Sequence, residues 1–340
     1  MCAACMSPFR FGKHEDRRKS LRSIEMANCC GAGSGSKLAI GLSAGTPTRM
    51  DFIDVHSTKV FKTLSDGSSK TIRGTLDPVD VNVAEGMLFV QFRTKLWLTA
   101  AKMAVLLPCL GFTNTSGNDW TLGDSLPASK IIVGPSGSPE VTYDGAVPTD
   151  VTWEGRKGSD PIMMDIGWIA KTRATANAGT FFVSQTSPAM TEGYVYPYPD
   201  GAYNVTRLEV EGADRLFPLF RLRLDYGVIS EFNQSVTATN LCPTKHDLTF
   251  GASALYSTCD SSTDLLSVPM SGDVSGASLT IDLERLVGVT TYETIFNVAN
   301  LKLLAQDPNI VKNDFIRLPI NGKGYATDST AMLIITNVAS

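Results

Sequence analysis

The sequence predicts a mainly β fold, built as tandem β-sandwich domains with one flanking α-helix, and three observations carry that prediction. From Phe52 onward, apolar residues recur at a period of two, the spacing of strands with one packed face. Turn pairs that take up positive φ angles fall between the runs, at Asp66-Gly67, Asp144-Gly145, Asp200-Gly201 and Asn321-Gly322. One stretch, Leu98 to Gly111, breaks the alternation and reads as a helix. Tight hairpins imply mostly antiparallel pairing, and several short alternating strands imply a sandwich.

Taken in order, residues 1–36 are basic, with Arg10, Lys13, Arg17, Arg18, Lys19 and Arg22, and end Gly-rich at Gly31-Ala-Gly-Ser-Gly-Ser36. They are expected to form an arm and hinge, the arm lying on a neighbouring subunit. Residues 37–183 are expected to be a first sandwich. Within it Val81 and Val83 alternate with Asp80 and Asn82, and Leu88, Val90 and Phe92 alternate less cleanly with Phe89, Gln91 and Arg93. The helix, expected over 98–110, has Thr99 as its cap, helix formers inside, Pro108 to prevent extension and Gly111 as a stop. Its apolar face is expected to cover one open side of a sheet.

Residues 184–201 read as a contact loop, because Tyr194, Tyr196 and Tyr198 are interleaved with Pro197 and Pro199, which hold the chain extended. A stiff aromatic loop loses little entropy on binding, which favours an inter-subunit contact over a sugar-stacking platform. Residues 202–340 are expected to be a second sandwich. Phe220, Leu222, Leu224 and Tyr226 alternate with Arg221, Arg223 and Asp225, giving one dry and one charged face. Leu248, Phe250 and Ala252, and later Leu279, Ile281 and Leu283, alternate in the same way. A weaker helical tendency lies between Leu283 and Phe296, opposed by the β-branched run Val287 to Thr291. An internal duplication is suggested where Asp150-Val-Thr152 with Pro161 and Asp165 is echoed by Asn204-Val-Thr206 with Pro218 and Asp225.

Composition narrows the function. Of the 340 residues, 43% are hydrophobic and 19% charged, which fits a surface partly buried against other copies. A net charge of −4 argues against a dedicated nucleic-acid binder, yet suits a surface that lets DNA slide past, since each phosphate contact would release counterions and hold the strand. Seven cysteines, unevenly placed, fit a reduced compartment better than a disulfide framework. Cys2 and Cys5 have the spacing of half a zinc site, but only the adjacent Cys29-Cys30 follows them. The basic start is not followed by an apolar h-region, and the run Leu96 to Phe112 is interrupted by Lys102 and Pro108, so a soluble, membrane-free protein is expected.

Catalytic patterns are missing. The three histidines, His14, His56 and His246, are far apart in sequence, and no Gly-x-Ser-x-Gly elbow occurs. Gly33-Ser-Gly-Ser-Lys37 lacks the frame of a phosphate loop. Asp144, Asp150, Asp160 and Asp165 are the acids from which a glycosidase pair would be drawn, although turns account for Asp144 and Asp160. No catalytic, cofactor or metal residue is expected. The candidate functional residues are inter-subunit contacts: Arg17, Arg18, Tyr194, Tyr196 and Tyr198.

In order along the chain, several features resemble the tail tube proteins of long-tailed bacteriophages. They are the helix ending Leu106-Leu-Pro-Cys-Leu-Gly111, Trp120-Thr121, Ser125-Leu126, Ile131-Ile-Val133, Tyr143-Asp-Gly145, Asp150-Val-Thr152, Gly158 and the strand Pro161 to Lys171. Asp225-Tyr-Gly227, Asn233-Gln-Ser235, Pro243-Thr244 and Asp314-Phe-Ile-Arg-Leu-Pro319 continue the likeness, which spans about Gly86 to Val338. The basic arm lies outside that pattern. The resemblance implies a major tail tube subunit: a structural virion protein, assembled in the host cytoplasm, whose inner sheets join those of neighbours into a barrel around a bore. It implies homo-oligomeric rings, three chains if each carries two domains and six if one. Further implied partners are tape measure, baseplate and terminator proteins, and genomic DNA passing without specific binding. The other readings are a tail terminator or decoration protein and, from a different class, a carbohydrate-binding β-sandwich.

Overall fold

The computed structural model describes residues 36–66, 83–135, 139–156, 161–176, 181–182, 195–196, 206–210, 213–214, 219–232, 238–255, 277–304 and 317–338. In chain order the first strands are β1 (Lys37–Leu42), β2 (Thr48–Met50), β3 (Asp54–Asp66) and β4 (Val83–Trp97), followed by helix α1 (Ala100–Cys109). Next come β5 (Phe112–Ser116), β6 (Asp119–Leu122), β7 (Ser129–Gly134), β8 (Glu140–Arg156), β9 (Met163–Ala170) and β10 (Thr172–Ala176). The second half holds β11 (Thr206–Val210), β12 (Ala213–Asp214), β13 (Leu219–Asp225), β14 (Ile229–Glu231), β15 (Asn240–Cys242) and β16 (Asp247–Leu255). It ends with β17 (Ala277–Val287), β18 (Thr290–Leu304), β19 (Arg317–Gly324) and β20 (Ile334–Val338).

Eighteen of these strands form one hydrogen-bonded sheet, and β14 with β15 forms a separate pair. The main run is antiparallel in the order β3, β4, β9, β8, β13, β16, β19, β18, β17, β11, β12. β20 takes the place of β19 beside the first part of β18 and carries β6 and β5. Among the described residues the sheet does not close into a barrel.

β8 organises this arrangement because it changes neighbours along its length. Its first part pairs with β7 up to Ala146 and with β10 up to Asp144, and its second part pairs with β9 from Val147 and with β13 from Asp150. The change occurs at Asp144-Gly145, where the register against β7 slips and Gly145 has φ +61°. A hairpin was expected here, and the structure corrects it to a bulge inside a 17-residue strand. The same property, a glycine tolerating positive φ, serves both, and only the partner strands decide between them. Asp144 fixes the bend by accepting hydrogen bonds from Gly145 N and Ser43 Oγ. The bend brings Tyr143 over Phe92 of β4, ring centroids 4.0 Å apart and stacked.

The Asn321-Gly322 turn is likewise absent, since both residues lie within β19. Glycine is needed there for closeness: an added Cβ at position 322 would sit 2.9 Å from Leu301 Cγ. Gly67 and the pair at 200–201 lie outside the described residues. The helical tendency at 283–296 is overturned too, because β17 and β18 form a hairpin through Gly288 and Val289, paired Val287 to Thr290. Gly288 has φ +64°, the positive φ that two-residue hairpin turns take at their first central position, and the β-branched flanks extend on either side.

The helix stands where expected. Thr99 is extended (φ −141°), and its Oγ1 accepts a hydrogen bond from Lys102 N at 3.1 Å. Pro108 lies inside the last turn, not beyond it, and Gly111 at φ +81° ends the helix. Met103, Leu106 and Leu107 are fully buried, and α1 packs against β1, β5, β18 and β20.

The halves separated at residue 202 share one core. It contains Phe92, Trp153 and Trp168 together with Leu222, Phe250 and Phe296, and the β8–β13 and β6–β20 ladders cross the boundary. Among the described residues the duplication has no echo in the pairing: β8 and β9 are neighbours, whereas β11 pairs with β12 and β17 and not with β13.

Candidate functional site

Alternation assigns the two faces of the central strands to different tasks. Trp153, Leu222, Leu224, Leu248 and Phe250 point into the core with no more than 2% exposure. On the opposite face the register aligns Lys95, Asp165, Thr152, Arg223, Thr249 and Lys323 across β4, β9, β8, β13, β16 and β19. A second row runs through Asp150, Asp225 and Asp247, and a third through Met163, Glu154 and Arg221.

Ion pairs join most of the charges on this face. Arg93 donates from both terminal nitrogens to Asp150, at 2.8 and 3.2 Å, and from Nε to Asp165 at 3.0 Å. Burial lowers the Arg93 pKa, but the hydrogen bonds and charge of Asp150, helped by Asp165, outweigh it and raise the net value. This cluster lies flat on Gly167, where an added Cβ would meet Asp150 Oδ2 at 2.5 Å and Thr149 Oγ1 at 2.6 Å. Glycine at 167 is what lets the carboxylate sit against the strand.

Farther along, Arg221 Nε approaches Glu154 Oε2 at 3.7 Å and Arg223 reaches Asp225 at 3.4 Å. Asp247 is shared by Lys323 at 2.9 Å and Lys245 at 3.7 Å. The Lys323 hydrogen bond, and the charges of both lysines, hold the Asp247 carboxyl below its usual range. Lys95, Thr152, Glu154, Met163, Asp165 and Arg221 line a shallow groove of about 60 Å³. Small-molecule sites begin at roughly 300 Å³, so the groove does not resemble one.

Of the candidate contact residues, Arg17, Arg18, Tyr194 and Tyr198 lie outside the described residues. Tyr196 is placed in the interior of its own chain, fully buried, which removes its ring from any surface a second copy touches. Its hydroxyl pairs with Thr294 Oγ1 at 2.9 Å, and Thr294 in turn donates to Asn337, which reaches Ala100 O at the start of α1. Burial raises the Tyr196 pKa, so the phenol stays protonated and able to donate.

Two of the four aspartates considered for acid–base chemistry, Asp150 and Asp165, meet on Arg93, which holds both as ion-pair partners. Asp160 lies outside the described residues, and Asp144 belongs to the bulge. His246 packs edge-on against Tyr226 at 5.5 Å, its Nε2 buried with no hydrogen-bond partner among the described residues. Burial lowers its pKa, only partly offset by Asp124. Cys109 is buried, its thiol pushed up to about 11 by burial, and so is poorly nucleophilic. Among the described residues no group of three or more His, Cys, Asp or Glu could hold a metal ion, and no helix is long and apolar enough to cross a membrane.

The paired face was half visible beforehand. The alternation at 220–226 marked a charged side, but Glu154 as the partner of Arg221 depends on a register between strands far apart in sequence. No protein-family model matches the chain, and no curated protein matches it.

Proposed function

We propose that the chain is a structural virion protein, the major tail tube subunit of a long-tailed bacteriophage, stacking as rings around a bore that conducts DNA. In this reading the described core is a sandwich-type body, with α1 as its flanking helix, and the open main sheet continues into those of neighbouring copies. The observation that carries the proposal is the sheet itself: broad, antiparallel, dry on one face, wet and charged on the other, and not closed on itself. Among the described residues β3, 13 residues long, pairs with β4 alone. A long unpaired edge is a standing risk of aggregation unless another chain covers it, and a ring of copies covers every edge in the same way. The ordered sequence resemblance supports the same assignment.

Two equivalent sheet units per chain give a trimeric ring and one gives a hexamer. Chain length favours three, whereas the single core shared by the described residues of both halves favours six. Negative-stain electron microscopy of the purified full chain, alone and with a tail-tip initiator, tests the proposal. Rings or tubes are expected. A monodisperse monomer at high concentration under both conditions rejects it.

A further inference from the structure

We propose that the β14–β15 pair is a flap that lifts off the polar face of the main sheet as a unit, hinged at Gly227 and Thr244 and held down by Lys171. The register places Ile169 opposite Val147, and alternation along β9 puts Ile169 on the same side as Asp165 and Gly167. An apolar pair thus interrupts the charged face. The flap covers it: Ala238 and Leu241 are buried against Val147 and Ile169, with Leu126, Val228 and Phe232 packed around them.

This satellite core is small. Its four buried residues form a cluster separate from the core that unites the main sheet, and β14 and β15 bond to each other over three residue pairs without joining that sheet. A unit with so few buried apolar contacts opens at a lower free energy than the body that carries it. Its base, by contrast, is fixed. Tyr226 is fully buried and donates from its hydroxyl to Leu110 O at 2.8 Å, and Thr244 N donates to Tyr226 O at 3.3 Å. Gly227, next in the chain, has φ +52° and donates its N–H to Asp225 Oδ1 at 2.9 Å. The chain therefore leaves the sheet at a glycine, which accepts the wide range of φ and ψ that a hinge sweeps.

The latch comes from the bulge in β8. Lys171 follows β9, and its stem runs over Gly145, where an added Cβ would lie 3.0 Å from Lys171 Cδ. The ammonium then donates to Thr239 O, between Ala238 and Asn240 of the flap. Gly145 thus serves two ends, turning β8 and seating the side chain that reaches across to the flap.

Hydrogen exchange of the unassembled full chain, read by mass spectrometry of overlapping peptides over a series of low urea concentrations, tests the proposal. Residues 229–231 and 239–242 are expected to exchange at least about tenfold faster than β8 and β13. Their rates should stay nearly flat as urea rises, because opening the flap exposes little surface, whereas those of β8 and β13 should climb steeply with global unfolding. Equal urea dependence in the flap and in β13 would mean that the pair opens only with the whole sheet, and overturns the inference. Lys171→Met keeps the stem over Gly145 but removes the donor, and is expected to speed flap exchange in the absence of urea by about tenfold. Unchanged flap rates in that variant would overturn the role given to Lys171.

Discussion

The two faces of β8 and β13 differ in what a change would cost. On one face Trp153 and Leu222, paired across the strands, are sealed in the core; on the other, one residue along each strand, Glu154 and Arg221 meet in water. Identical backbone supports both. The difference teaches that the dry face specifies the fold, while the wet face can change at little cost to it.

The largest effect is expected on the dry side. Trp153 contacts Phe296 with ring centroids 5.0 Å apart, and Trp153→Ala removes a large, fully buried side chain. A loss of about 3–5 kcal/mol is expected in urea denaturation of the unassembled chain. A loss under about 1 kcal/mol would remove the distinction between the faces.

Arg93 sits between the extremes, its side chain 33% exposed above an Asp150 carboxylate that is only 10% exposed. Arg93→Ala leaves that carboxylate without its guanidinium, and a loss of about 2 kcal/mol is expected. Adding Asp150→Asn should restore part of it, and the double-mutant cycle measures the coupling.

His246 sharpens the comparison through pH. Its folded pKa lies below the ordinary value because burial disfavours the imidazolium, so the native chain binds fewer protons than the unfolded chain. Stability is therefore full above about pH 6.5 and declines as pH falls through that value, levelling off below the folded pKa. Urea midpoints followed from neutral to mildly acidic pH should fall less in His246→Gln than in the parent. Parallel curves for the two would show that the ring titrates as if in water.

The smallest effect belongs to the wet face. Glu154→Gln should change unfolding stability by less than about 0.5 kcal/mol, because its pair with Arg221 is exposed and screened. A clear destabilisation would mean that these pairs serve folding instead of surface charge.

Much of the dry face was legible in the sequence. The alternations at Phe220–Tyr226, Leu248–Ala252 and Leu279–Leu283 match the buried positions, and Thr99 caps the helix as its residue type predicts. A period of two states which side of a strand is dry, but not which strand lies beside it. That is why Asp144-Gly145 and Asn321-Gly322 read as turns: the bulge against β7 and the approach of Leu301 come from segments remote in sequence. Tyr196 shows the same limit, since nothing nearby in the chain announces Thr294 as its partner, 98 residues away. The carboxylate partners of Arg93, 57 and 72 residues distant, were hidden for the same reason.

The most direct measurement is a cryo-electron-microscopy reconstruction of the assembled protein. The proposed tube assembly predicts a hollow tube of stacked rings, with the edge of β3 paired to an adjacent copy. A closed, non-stacking particle, or a tube in which the edge of β3 meets no neighbouring copy, would contradict it.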